Sequence, residues 1–169
     1  MAKIYFFERV NKMTVPVTTD MTVKTIAKAF LNMEPMSPKK LQKMCYYAYV
    51  WYLTLRNDRL FENNFQAWIH GPVDPTLYTE YKEHGWKDIP QEDTLPLEIQ
   101  ERPEIFEFLE EVFASYGHLN GDELEYLTHN QAPWLEAREG LDPYESSRNP
   151  INDETIIRYH LTELKNGNS

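Results

Sequence analysis

The segment from Ser37 to Arg56 constrains the fold more than any other part of the chain. It opens with Ser37-Pro38, an N-cap followed by a proline at the first helical position, where the missing N–H costs nothing. Leu41, Met44, Cys45, Ala48, Tyr52 and Leu55 then fall on one face of a long helix. Tyr46, Tyr47, Val50 and Trp51 make its other sides apolar as well, and no charge interrupts Met44 to Leu55. A helix that is apolar all round must be enclosed by its neighbours, so this stretch predicts the central helix of a bundle. The charge-free run Met44 to Leu55 is rich in tyrosine and far below the ~20 apolar residues a membrane span requires. Tyr46, Tyr47, Tyr49, Trp51 and Tyr52 are so closely spaced that not all are expected to face inward, and some hydroxyls should reach polar partners. Such a block also resembles a stacking platform for bases, although core packing is its commoner use.

Around this helix the periodicity remains mostly helical. Val23, Ile26, Ala27, Phe30 and Leu31 form an amphipathic stripe that Glu34-Pro35-Met36 ends. Leu60 to Ile69 alternates in a way that suggests a small strand or strand pair. Asp74 and Pro75 then open a helix carrying Leu77, Tyr78 and Tyr81, which stops at Gly85. Asp88 to Arg102 reads as loop. Pro103 opens a helix with the stripe Ile105, Phe108, Leu109, Val112, Phe113 and Tyr116. Further helices are expected over Gly121 to His129, from Pro133 to about Glu139, and after the Asn152 cap. Ile151 and Ile156 sit where a hydrophobic staple would place them. Residues 1–20, with Tyr5, Phe6 and Phe7, suggest a short β arm or hairpin. The expected organisation is an extension over 1–20, one domain over 21–165 and a frayed tail over 166–169. The fold class is mainly α: a compact bundle of about six helices with a small β element. Leu41, Ala48, Trp68, Leu109, Phe113, Leu127 and Trp134 are the expected core.

Charge is divided unevenly. Residues 1–60 carry ten Lys and Arg against four acidic residues, a balance of +6, whereas residues 61–169 carry seven against 23, a balance of −16. The net charge of −10 argues against general binding of nucleic acid, whose phosphates it would repel. It suits a basic protein partner, which such a field would steer; a plain solubility role is the competing reading. A single cysteine, Cys45, rules out an intramolecular disulfide and a cysteine-based zinc site. No targeting or membrane segment is expected, and a cytoplasmic location is.

Candidate chemistry is sparse. The histidines at 70, 84, 118, 129 and 160 form no familiar metal spacing, and no cofactor is expected. Glu125 and His129 share a helix face, which leaves open a small hydrolase or nuclease using His129 with nearby carboxylates. Cys45 reads as an inert core thiol. No phosphate-cradling loop or nucleophile motif is present. Lys39, Lys40 and Lys43 occupy the first turns of the central helix, the end where the macrodipole disfavours cations. They either bind an anion or are neutralised by acidic side chains from elsewhere, and the second reading is preferred.

Two segments carry a resemblance. Lys40-Leu41-Gln42-Lys43-Met44-Cys45-Tyr46-Tyr47-Ala48, followed by Phe65-Gln66-Ala67-Trp68-Ile69-His70-Gly71-Pro72-Val73, resembles the Panacea domain, also called the SocA-like antitoxin domain. Its pattern is a KLQKLLYYA helix followed by FEAW-x-x-GPV-x-P-x-x-Y. Pro75, Tyr78 and Tyr81 continue the likeness, as do Leu124, Leu127, Thr128-His129 and Pro133-Trp134, with Ile151 and Tyr159 where the last helix would lie. Met44-Cys45 replaces the usual pair of leucines, and residues 1–20 have no counterpart. The resemblance implies an antitoxin and not an enzyme: a protein that neutralises a toxin encoded beside it in bacteria or phages. The toxins of the family include translation inhibitors, among them alarmone-synthetase-like enzymes that modify tRNA; one member instead delivers its toxin to a protease. The resemblance implies no catalytic residues and, without an added module, no DNA binding. It makes Lys40, Leu41, Lys43, Tyr46, Tyr47, Trp68, Gly71, Pro72, Pro75, Tyr78, His129, Pro133 and Trp134 residues that build the domain. The partner should present a basic active-site surface, and its expected contacts are Tyr5, Phe6 and Phe7 together with Glu104, Glu107, Glu110 and Glu111 on the outside of the Pro103 helix.

Overall fold

The computed structural model describes residues 21–167, so the arm expected at Tyr5, Phe6 and Phe7 lies outside the described residues. Thr22 caps the first helix, α1 (Val23–Met33), by accepting a hydrogen bond from the backbone of Thr25. Val23, Ile26, Ala27, Phe30 and Leu31 form its buried stripe, as expected from their spacing. Ser37 caps α2 (Pro38–Arg56) through the Lys40 N–H, and Asn57 ends it in the left-handed region with φ 52°. Every residue from Leu41 to Leu55 is buried. Helix α2 is therefore the axis of the fold, packed by α1 and by all the major elements that follow.

The expected division of the aromatic block into inner and outer members does not occur. Tyr46, Tyr47, Tyr49, Trp51 and Tyr52 are all buried, because neighbours close around every side of α2. Three of their polar tips find partners inside: Tyr47 donates to Gln131 at 2.9 Å, Tyr49 to Asp153 at 2.8 Å and the Trp51 indole to the Tyr116 hydroxyl at 2.6 Å, whereas the buried Tyr52 hydroxyl has no partner among the described residues. Tyr47 also stacks on Tyr116 with ring centroids 4.2 Å apart.

The β element is an antiparallel hairpin of β1 (Gln66–Trp68) and β2 (Gly71–Val73), in the register Gln66 to Val73, Ala67 to Pro72 and Trp68 to Gly71. The strand is shorter than the alternation over Leu60 to Ile69 suggested. Asn63 explains the difference: its side chain binds the Ile151 carbonyl, Asp153 and the Phe65 N–H, which fixes the preceding residues as a loop. Leu60 and Phe61 still point into the core from that loop. Residues 149–151 run along the free side of β1, bonded through Ala67 N to Asn149 O and Ile151 N to Phe65 O.

The rest of the bundle follows the sequence closely. Asp74 caps α3 (Pro75–Tyr81), which continues into a 3-10 turn over Lys82–His84. The stretch read as loop from Asp88 to Arg102 contains one helical turn, α4 (Leu97–Gln100), which buries only Ile99. Helix α5 (Pro103–Tyr116) begins with proline at N1. A complete capping box of Asn120 and Glu123 opens α6 (Gly121–His129), and α7 (Ala132–Ala137) follows. Asn152 caps α8 (Asp153–Gly167) by accepting from Glu154 and Thr155. Ile151 and Ile156 are both buried, as a staple requires. Helix α8 takes in Asn166 and Gly167, which the sequence assigned to a frayed tail.

Over the described residues the fold is thus mainly α with one small hairpin. Leu41, Ala48, Leu109 and Trp134 are buried as expected. Trp68, Phe113 and Leu127 are only partly buried. Trp68 sits at the end of a short strand, and Phe113 and Leu127 sit at the edges of their helical stripes, where packing partners lie on one side only.

Candidate functional site

The densest polar chemistry lies where the hairpin meets α2 and α6. Gly71 ends the hairpin turn with φ 105°, a conformation that a side chain disfavours. A β-carbon there would stand 2.7 Å from Lys43 Cε and 2.9 Å from Thr128 Oγ1, so both the backbone angle and the close approach require glycine. Lys43 is 1% exposed and donates to the Pro72 carbonyl at 3.2 Å. Burial pushes its ammonium down to about 7, against an opposing pull from Glu125. The preceding residue, Gln42, both donates to and accepts from the Asp74 backbone through its side chain, at 3.0 and 2.9 Å. Burial raises the Asp74 carboxyl above its ordinary value, partly offset by the helix N–H groups it caps.

Above this joint lies an ionic cluster. Lys39 reaches Asp122 at 2.7 Å and Glu125 at 2.6 Å. His70 meets Glu125 at 3.2 Å. Partial burial works against the Glu125 carboxylate, but the bonds from Lys39 and His70 outweigh it and hold the group below its usual range. Lys40 binds Glu34 and the Gly117 carbonyl at 3.0 and 2.5 Å. Two of the three lysines at the start of α2 are therefore neutralised by acidic partners, as the preferred reading expected. Lys43 differs, because no carboxylate lies within ion-pair distance of it among the described residues.

His129 does not stand ready beside Glu125 as a free acid or base. Its ring stacks on Trp134 with centroids 3.9 Å apart and planes at 15°. Desolvation lowers its pKa, with Glu125 pulling the other way. The Trp134 indole donates to the Trp68 carbonyl at 2.8 Å, which ties α7 to the hairpin. Among the described residues no group of three His, Cys, Asp or Glu side chains could hold a metal ion.

The remaining motif residues are spent on packing. Leu41, Tyr46, Tyr47, Pro72, Pro133 and Trp134 are buried, and Pro75 opens α3. Tyr78 is 45% exposed, yet its ring meets Trp68 edge-on at 5.0 Å. Sequence reasoning missed Arg138, a buried cation that donates to the Ala67, Asp142 and Glu145 carbonyls at 2.9, 3.1 and 2.5 Å. It fastens the 140–149 loop to the hairpin. Its partners are backbone carbonyls, which leave no mark in a sequence.

The four glutamates of α5 are less uniform than their spacing suggested. Glu107 and Glu110 face solvent, whereas Glu104 and Glu111 are partly buried. Glu104 is held by the neighbouring Arg102.

A bundle wrapped around one apolar helix, with its shared motif built into the packing, defines a helical protein module. The profile of the antitoxin SocA-like, Panacea domain family matches residues 41–135. The chain belongs to that family. It is 31% identical over 110 residues to a protein named Antitoxin SocA from Caulobacter vibrioides, an alignment that covers 59% of this chain and 58% of that protein. The chain thus spans rather more than half of that relative's length. No solved structure matches the chain. No helix among the described residues is long and apolar enough to cross a membrane.

Proposed function

We propose that the chain is an antitoxin that neutralises the toxin encoded beside it by binding directly and covering a basic active-site surface. Membership of the Panacea family, with a relative named as an antitoxin, carries this reading. The architecture supports it. Most of the motif residues consolidate the interior, so the outer faces remain available for recognition, and the outer face of α5 carries Glu107 and Glu110 in a half-chain of strong negative charge. A toxin that acts on tRNA or nucleotides needs a cationic surface, and an acidic protein held against it excludes the substrate. The protein acts as a regulator and not as a catalyst. Tyr5, Phe6 and Phe7 are further proposed contacts.

The test uses two purified proteins: this chain and the product of the neighbouring reading frame. Direct occlusion predicts that a stoichiometric amount of this chain abolishes the toxin's activity with no other component present. Full toxin activity in that mixture, with neutralisation restored only by a protease-containing extract, would establish the adaptor route instead.

A further inference from the structure

Two concave regions flank the hairpin turn. One, of about 300 Å³, lies between the turn, the start of α2 and α3, with Trp68, Tyr78 and Leu77 among its walls. The other, of about 500 Å³, lies between the turn and Ser146, Ser147 and Arg148. Trp68 and His70 line both. Neither is lined by a carboxylate, although residues 61–169 hold 23 acidic side chains against seven basic ones. The charged residues that do line them are Lys39, Lys43, His70 and Arg148. Lys39 and His70 already share Glu125, so the uncompensated cations are buried Lys43 and exposed Arg148, which pairs with no acidic group among the described residues. Tyr78, at 45%, is exposed on the same face, and Trp86, at 85%, follows Gly85 at the rim of the smaller groove.

Aromatic side chains and arginine around a concave surface are the composition of interface anchors. An exposed arginine with no partner, in a protein that is otherwise acidic, selects for a negative group on the incoming molecule. We propose that the hairpin tip is a docking surface for an acidic segment of the partner protein that carries an aromatic side chain, separate from the acidic face of α5. A ring packs over the outer surface of the Trp68–Tyr78 pair, whose own edge-on contact leaves no gap between the two rings, and a flanking carboxylate meets Arg148. Recognition then uses two faces of opposite sign, which a partner of uniform charge cannot satisfy together. This inference rests on the reading of the chain as a toxin-binding protein, but its test does not involve the toxin.

The probe is a fluorescein-labelled peptide of alternating glutamate, aspartate and phenylalanine, with a counterpart in which glutamine and asparagine replace the acids. Binding to the full chain is followed by fluorescence anisotropy. The acidic peptide should bind about tenfold more tightly than the neutral one, the factor that ~1.4 kcal/mol supplies. Arg148→Glu alters an exposed side chain and should leave the melting temperature unchanged while weakening binding about fivefold. Tyr78→Ser also removes the edge-on contact with Trp68, so it should weaken binding about fivefold with a slightly lowered melting temperature. Lys165→Glu, at the end of α8 and outside both grooves, should leave the affinity unchanged. Absence of binding, equal binding of the two peptides, or equal effects of Arg148→Glu and Lys165→Glu would each overturn the proposal. Sedimentation of the chain alone closes the remaining route: a dimer that Arg148→Glu dissociates would make a second copy the occupant and overturn it too. A chain that binds the peptide yet fails to inhibit the toxin would overturn the antitoxin reading and leave this surface standing.

Discussion

The hairpin joint and the outer face of α5 use charged residues in opposite ways. At the joint Lys43 is buried against a backbone carbonyl, and Gly71 leaves no room for a side chain beside it. On α5, Glu107 and Glu110 are exposed above a stripe of Ile105, Phe108, Leu109 and Val112 that faces the core. The difference teaches that the family-shared residues of the joint act in packing, whereas the charges proposed for steering on α5 lie outside the shared motif. Changes at the joint should therefore act through stability, and changes on the outer face through association.

The largest effect should come from the inner side of α5. Phe108 is 2% exposed and meets Tyr52 edge-on at 5.5 Å, so Phe108→Ala should cost ~3–5 kcal/mol in denaturant unfolding. Phe113 is only partly buried at the edge of the same stripe, and its truncation should cost clearly less. Equal losses at the two positions would contradict the observed orientation of the helix.

Next is the pH dependence of the joint. Lys43 is held at about 7 in the folded protein, while the unfolded chain keeps the ordinary lysine value of ~10.4. Between these values the unfolded state binds more protons, so this group makes stability rise with pH; below 7 its full penalty is present. Lys43→Met keeps most of the stem and removes the titration. Unfolding free energies at pH 6.5 and 9.5 should shift in favour of the wild type, relative to the variant, by on the order of 3 kcal/mol as pH rises. Parallel pH profiles would mean that Lys43 is not desolvated.

A smaller contrast separates two glycines. Gly71 and Gly85 both have positive φ, but an added β-carbon meets close neighbours at Gly71 and nothing within 4 Å at Gly85. Valine at either position adds backbone strain of ~1–3 kcal/mol. At Gly71 overpacking adds a further ~1–3 kcal/mol. Melting curves of the two variants measure the difference, and a Gly71→Val protein no less stable than Gly85→Val would show that the close approach is not limiting.

The sequence made legible what depends on local rules. The proline starts of α2, α3 and α5, the caps at Ser37, Asp74 and Asn152 and the stripe of α1 all follow from neighbouring residues. Features set by distant partners were hidden. The Gly71-Pro72 pair conceals strand β2, which lies beyond the alternation ending at Ile69, and α4 is concealed because one turn shows no period. Lys43 and Arg138 look like surface cations until the carbonyls of Pro72 and Ala67 are brought against them. On α5, spacing placed four glutamates together, but only the fold shows that Glu104 is engaged by Arg102.

The most direct measurement concerns the outer face. Glu107, Glu110 and Glu111 are replaced together by glutamine, leaving Glu104 with Arg102, and association with the toxin is followed by stopped flow at low and high salt. Thermal melting of the triple variant checks that it stays folded at the temperature of the association experiment. The account predicts slower association at low ionic strength, with the two proteins converging at high salt where screening has already weakened the field. The same association rate for both proteins at low salt would contradict it, and would move the steering surface away from α5.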